Sequence, residues 1–315
     1  MNRLNRILAV IDPADEQQKS LKRAVELARL SNASMTAFLV VYDFSYEMTT
    51  MLSPDERELM RRCMIEERTQ WLEAQIEPYL EQVSQLHTKV IWHSRPFECI
   101  IQQVLETNYD LVVKATHEHS TLRSVIFTPT DWHLIRKCPC PLLLVKEHDW
   151  PPQGTILAAI NAANEETHHQ DLNEQIIKTG QFMQSLVDAN LKLLNCFPGT
   201  PVNLAVEIPE FDPTSYRDAI KSHHLNAIHK QADKHNIAHE NCILTEGLPE
   251  DSILDIAKET DAELVIMGTV GRSGISAALL GNTAEHLLEG INCDVLALKP
   301  YGFVSPVKLP DKYHE

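Results

Sequence analysis

Short apolar runs alternate along this chain with longer stretches in which apolar residues recur every three or four positions. Ile7–Ile11, Met35–Tyr42, Thr88–Trp92, Leu111–Ala115 and Pro141–Val145 are runs of the first kind. They have the length and the β-branched content of strands buried on both faces. After the first run, Leu21, Ala24, Val25 and Ala28 share one face of a predicted helix. A long polar helical region is predicted over roughly residues 54–82. Another helix opens at Pro96, where a proline's missing N–H costs little. The same order then returns. Strands are predicted at Ile156–Ile160, Leu191–Phe197, Asn241–Thr245, Leu264–Gly268 and Val295–Leu298, with a helical region over 213–235 and a helix opening at Pro249. Glu250 and Asp251 suit the positive end of that last helix. Strands alternating with helices predict an α/β fold: two tandem doubly wound domains, each with a five-stranded parallel sheet. In such sheets ligands bind beyond the carboxyl ends of the strands, where the strand order reverses.

The return is a true repeat. Shifted by 153 positions, Pro96–Lys146 lies on Pro249–Lys299 without a gap, and 14 of the 51 positions are identical; chance would give about three. Thr116/Thr269, His133/His286, Cys140/Cys293 and Lys146/Lys299 are among them. The starts match as well, Arg6-Ile-Leu-Ala-Val-Ile-Asp12 on Thr155-Ile-Leu-Ala-Ala-Ile-Asn161. Between the copies, Glu147-His-Asp-Trp-Pro-Pro-Gln-Gly154 breaks regular structure. The expected domains are residues 1–147 and 154–315.

Composition changes this picture in two respects. The formal charge of −16 opposes binding to nucleic-acid backbones and to anionic membrane. No apolar stretch is long enough to span a bilayer. Seven scattered cysteines without a CxxC pair fit reduced thiols and a cytoplasmic location. Secondly, all ten glycines lie from Gly154 onward, four of them between Gly268 and Gly281. A glycine loop between strand and helix lets backbone N–H groups approach an anion.

Gly268, Gly271 and Gly281 follow a strand and precede a helix with the spacing Gly-x2-Gly-x9-Gly. This motif and the tandem repeat resemble the universal stress protein family, and the resemblance covers almost the whole chain. It implies a non-catalytic stress-response protein that supports survival, including resistance to DNA damage. It also implies an ATP site in which the residue ending the first strand contacts adenine, while the glycine loop and the following hydroxyl hold the phosphates. Carried over, the candidate nucleotide-binding residues of the second domain are Asn161, Gly268, Gly271, Gly281, Asn282 and Thr283. Asn161 replaces the family's Asp and Asn282 its Ser or Thr, with Thr283 one position later. In the first copy Asp12 remains, but Ala115, Glu118 and Thr128 stand at the glycine positions and Pro129 removes a donor. A carboxylate at Glu118 would repel phosphate by about 4 kcal/mol at ~4 Å and an effective dielectric near 20. ATP is therefore a candidate for the second domain only. The residues leave open whether the glycines cradle phosphate or serve turns and packing. The resemblance further implies that the two fifth strands, being in one chain, pair as an intrachain pseudo-dimer, with homodimers of whole chains also open.

Other features read more simply. His117-Glu-His119, His168-His169 and His223-His224 lack the HExxH arrangement, so no metal site is expected. His133 and His286 suggest a shared packing role. Cys140 and Cys293 read as small core residues. Lys22-Arg23 and Arg61-Arg62 read as solvated helix faces. The alternating segment Pro201–Phe211 reads as an edge strand or as a lid over an apolar or mixed small ligand. No base or Walker lysine is evident near the glycine loop, so no enzymatic step is expected.

Overall fold

In the computed structural model the described residues are 3–45, 52–118, 125–126, 128–146, 149–200, 212–269 and 287–309. They form two compact units.

The first unit is Arg3–Glu147 together with Phe303–Glu315. Its strands are β1 (Arg6–Val10), β2 (Ser34–Val41), β3 (Leu86–Trp92), β4 (Leu111–Ala115) and β5 (Leu142–Val145). All pair in parallel, in the order β3-β2-β1-β4-β5. Ile7 lies beside both Met35 and Leu111, which fixes β1 at the centre. The order reverses between β1 and β4, so the crevice for a ligand lies beyond Val10 and Ala115. The helices are α1 (Lys19–Ser31), α2 (Pro54–Ile76), α3 (Pro96–Thr107) and α4 (Pro129–Lys137). Ser53 and Glu56 close a capping box on α2. The polar helical region ends earlier than its composition predicts. Pro78 cannot continue an α-helical ladder, and the chain makes a single 3-10 turn over Glu77–Tyr79 instead. Asn32 and Asn108 end α1 and α3 with φ of 55°, a left-handed cap that asparagine tolerates. Ile7, Leu8, Ala9, Phe38, Val112, Val113 and Leu144 form a core closed to solvent.

The second unit, His148–Gly302, repeats the plan. Its strands are β6 (Thr155–Ile160), β7 (Asn190–Phe197), β8 (Cys242–Glu246), β9 (Ala262–Gly268) and β10 (Asp294–Leu298), in the order β8-β7-β6-β9-β10 and again all parallel. Its helices include α5 (Thr167–Val187), α6 (Pro213–Lys234) and α7 (Pro249–Glu259). The alternating segment 201–211 lies outside the described residues.

Two sequence expectations need revision. Arg23 is buried at 6% exposure and its Nη1 bonds the Glu26 carboxylate at 2.5 Å. Arg61 does not point only at water either, since its guanidinium lies 5.9 Å from the centre of the Trp92 ring.

Candidate functional site

At the carboxyl edge of the second sheet, the chain leaves β6 through a set of buried amides. Asn173 on α5 clasps the Asn161 backbone from both sides: its Oδ1 accepts the Asn161 N–H at 3.0 Å and its Nδ2 donates to the Asn161 carbonyl at 2.8 Å. One residue on, the Ala162 N–H donates at 2.9 Å to Oδ1 of Asn195, which is closed to solvent on β7. The Asn195 Nδ2 then donates to Nδ1 of His224 on α6, also at 2.9 Å, which places the imidazole proton on Nε2. Burial, with His223 alongside, holds His224 below the usual histidine range. The backbone around Asn161 is thus fixed, while the Asn161 side chain stands exposed at the strand end.

Gly268 ends β9 opposite Leu298. A Cβ added there would collide with Leu172 Cδ2 and lie 3.0 Å from its Cγ. Close packing of α5 on β9 therefore favours a glycine here. In the first unit the strand residue is Ala115, and the residue equally far from the helix N-cap is the smaller Ala24, also buried. The next position is alike in both copies. Thr116 and Thr269 each close the strand end with N–H and hydroxyl on one carbonyl, of Val145 at 3.0 and 3.2 Å and of Leu298 at 3.0 and 3.2 Å. Gly271, Gly281, Asn282 and Thr283 lie outside the described residues, as does His286.

At the same edge of the first unit the chain continues past Thr116. His117–Glu118 pairs antiparallel with Val125–Ile126, at positions where the second copy has its glycine-rich sequence. Beyond this pairing, Thr128 and Asp131 form a capping box on α4: Asp131 Oδ2 accepts the Thr128 N–H at 2.7 Å and its hydroxyl at 2.8 Å. The other Asp131 oxygen meets Nζ of Lys114 at 2.7 Å, with both side chains buried. Lys114 Nζ also donates to the Ala115 carbonyl at 3.0 Å. A helix N-terminus attracts anions, and here the chain's own carboxylate fills that place. The repeat puts Met267 and Ala284 at the positions of Lys114 and Asp131, so the second copy lacks the pair. Asp12 Oδ1 accepts the Ala14 N–H at 2.9 Å and shapes the turn after β1. His133 stacks on Phe97 with ring centres 4.0 Å apart, and burial, then Lys137 and Arg136, lowers its pKa.

A cavity of about 490 Å³ opens beside the Asn161 loop. Ala162, Ala163, Glu165 and Gln170 line one wall, and His223, Ala227, Lys230 and Gln231 of α6 the other. Its size is that of a small-ligand pocket, and its lining mixes methyl groups, amides and both signs of charge. A smaller cavity of about 300 Å³ between Leu254 and Cys293 lies at the opposite, amino edge of the sheet. One of the histidine pairs named in the sequence, His168-His169, has Glu166 beside it. Glu166, His168 and His169 bring their ligand atoms within 4.8 Å of one another. The signal was present as Glu-x-His-His at a helix start, but the HExxH template requires a full turn between imidazoles.

No helix among the described residues is long and apolar enough to cross a membrane. The sequence profile of the universal stress protein family matches residues 3–146 and 184–299. Universal stress protein E of Salmonella typhi is 47% identical over 307 residues, which cover 97% of this chain and 98% of that one. The universal stress protein E homolog of Haemophilus influenzae is 40% identical over 299 residues, covering 93% and 97%. Among solved structures, a putative universal stress protein from Pseudomonas aeruginosa matches with a TM-score of 0.70 at 26% identity, over 94% of each chain. One from Archaeoglobus fulgidus shares the fold with a TM-score of 0.61 at 14% identity, over 95% and 97%. With two successive domains matching one profile, and full-length relatives near half identity, the chain belongs to the universal stress protein family of stress-response proteins.

Proposed function

We propose that this chain serves stress survival, including survival of DNA damage, as a non-catalytic cytoplasmic protein that binds its ligand in the second domain only. Two observations support this reading, one at the carboxyl edge of each sheet. In the first domain the helix N-terminus is occupied by Asp131, neutralised in turn by Lys114. In the second, the Asn161 backbone is clasped by Asn173 and its amide is left exposed beside a cavity of about 490 Å³. ATP or a related nucleotide is the candidate ligand. An amide can accept from an exocyclic amine and donate to a ring nitrogen, so Asn161 suits a purine edge without needing charge. The mixed lining of the cavity also supports a second reading, a small apolar–polar ligand in place of ATP.

Calorimetric titration of the full chain with ATP and Mg²⁺ tests the first reading. One ATP per chain is expected, with affinity reduced about tenfold or more by Asn161→Ala, the loss of one or two hydrogen bonds. Absence of binding at high micromolar protein rejects the nucleotide, and a copurifying small molecule in native mass spectra then favours the second reading. Steady phosphate release from ATP would overturn the non-catalytic part. Survival of a deletion strain after growth arrest or DNA damage tests the physiological part.

A further inference from the structure

We propose that Glu166, His168 and His169 form a binding site for one tetrahedral divalent transition-metal ion, of the Zn²⁺ class, at the start of α5. Glu166 is the N-cap residue of this helix, yet its side chain caps no backbone N–H. Its Oε2 turns instead toward the two imidazoles, 3.4 Å from His168 Nε2 and 3.7 Å from His169 Nε2. Bonds of about 2.0–2.1 Å from a tetrahedral ion place neighbouring ligand atoms about 3.3–3.4 Å apart. The carboxylate–imidazole distances approach those edges, and all three ligand atoms lie within 4.8 Å of one another. The imidazole ring centres are 4.3 Å apart and inclined at 40°, so binding both to one ion requires the rings to turn. Two imidazoles and one carboxylate suit zinc rather than calcium or magnesium, which prefer oxygen-only shells. The fourth position is open to water or to a ligand.

The surroundings favour one ion and give it a task. The positive end of α5 opposes a cation, and the Glu166 carboxylate at that end offsets it. The helix start is held independently: the Glu166 N–H donates to Asn164 Oδ1 at 2.9 Å, and the His169 N–H to the Glu166 carbonyl at 2.9 Å. A bound ion would tie the N-cap residue Glu166 to the first turn of α5. Glu166 directly follows the Ala162–Glu165 wall of the cavity, so the metal would sit next to the pocket without entering it. The first unit has no counterpart. Counted from the N-cap of α1, the three positions are Gln18, Ser20 and Leu21.

The test is a titration of the full chain with Zn²⁺ by calorimetry and with Co²⁺ by visible absorption. One ion per chain is expected, and Co²⁺ should show the intense ligand-field bands of a tetrahedral site. His168→Ala and His169→Ala should each weaken binding by at least the roughly 10–100-fold that even outer-sphere changes produce. His223→Ala should leave it unchanged. The site is at the surface, so circular dichroism is expected to show all variants folded. Stoichiometric binding that survives the double variant His168→Ala/His169→Ala would overturn the proposal. So would a Co²⁺ spectrum no different from that of the aqueous ion.

Discussion

Lys114 and Asp131 decide the character of the first domain at the scale of single residues. A lone charge in a strand buried on both faces is costly unless paired, and breaking a buried pair from one side typically costs about 3–5 kcal/mol. Lys114→Met or Asp131→Ala alone is therefore expected to lower the unfolding free energy of the first domain, read from its urea transition, by that amount. The double variant recreates the Met and Ala of the second copy. It should recover most of the loss, since an apolar replacement of both partners is often neutral. Additive losses in the two single variants would mean that the pair does not act as a unit. The sequence displays half of this arrangement. Lysine inside Leu111-Val-Val-Lys-Ala demands a partner, but only the approach of α4 selects Asp131. Gly268 shows a different limit. Its place in a glycine motif suggests an anion, whereas its collision course with Leu172 depends on how closely α5 lies on β9, which no spacing rule encodes.

Among the elements, α6 depends most clearly on neutral histidines. His224 accepts from Asn195 through Nδ1, and His235 is buried at the end of the helix. Burial lowers the pKa of both from the ordinary value of 6.5, with help from His223 and Lys234 respectively. The folded state thus binds these protons less readily than the unfolded chain. Their contribution is complete above pH 6.5 and is lost as pH falls through the lower folded values. Glu174 is lowered as well, but for an acid this favours the charged form. Hydrogen bonds from Lys178 and Lys234 bring it down to about 2, so its bridge between α5 and α6 outlasts the histidines. Protection factors of α6 amides, corrected for intrinsic exchange, should accordingly fall as the pH drops below about 6.5, before those of β6 and β9. Equal protection above and below that pH would refute the dependence. Element order and most boundaries follow from apolar periodicity, because parallel strands buried on both faces are nearly unbroken apolar runs. The reach of α2 was less legible. Polarity continues past Ile76, and the break comes from the backbone chemistry of Pro78.

For the molecule as a whole, the stretch from Phe303 is informative because it belongs to the first unit although it follows the second in sequence. The Gln102 Nε2 donates to the Lys308 carbonyl at 3.1 Å, and Ser305 is buried. Removing residues 303–315 should raise hydrogen exchange around α3 and leave β6–β9 protected; unchanged exchange at α3 would show the contact to be idle. Repeat arithmetic could not reveal this return, because residues after Lys299 have no counterpart in the first copy to compare with.

The same return has a consequence for synthesis. A ribosome adds roughly 5–20 residues per second, and domains generally fold as they emerge. The first unit can assemble its five strands early, but its last piece is translated only after all of His148–Gly302. For roughly 10–30 s at those rates, the earliest-made half is a nearly finished body awaiting a segment from the far end of the message. A nascent chain stalled within the second unit would carry that unfinished first half, with the Gln102 amide uncovered.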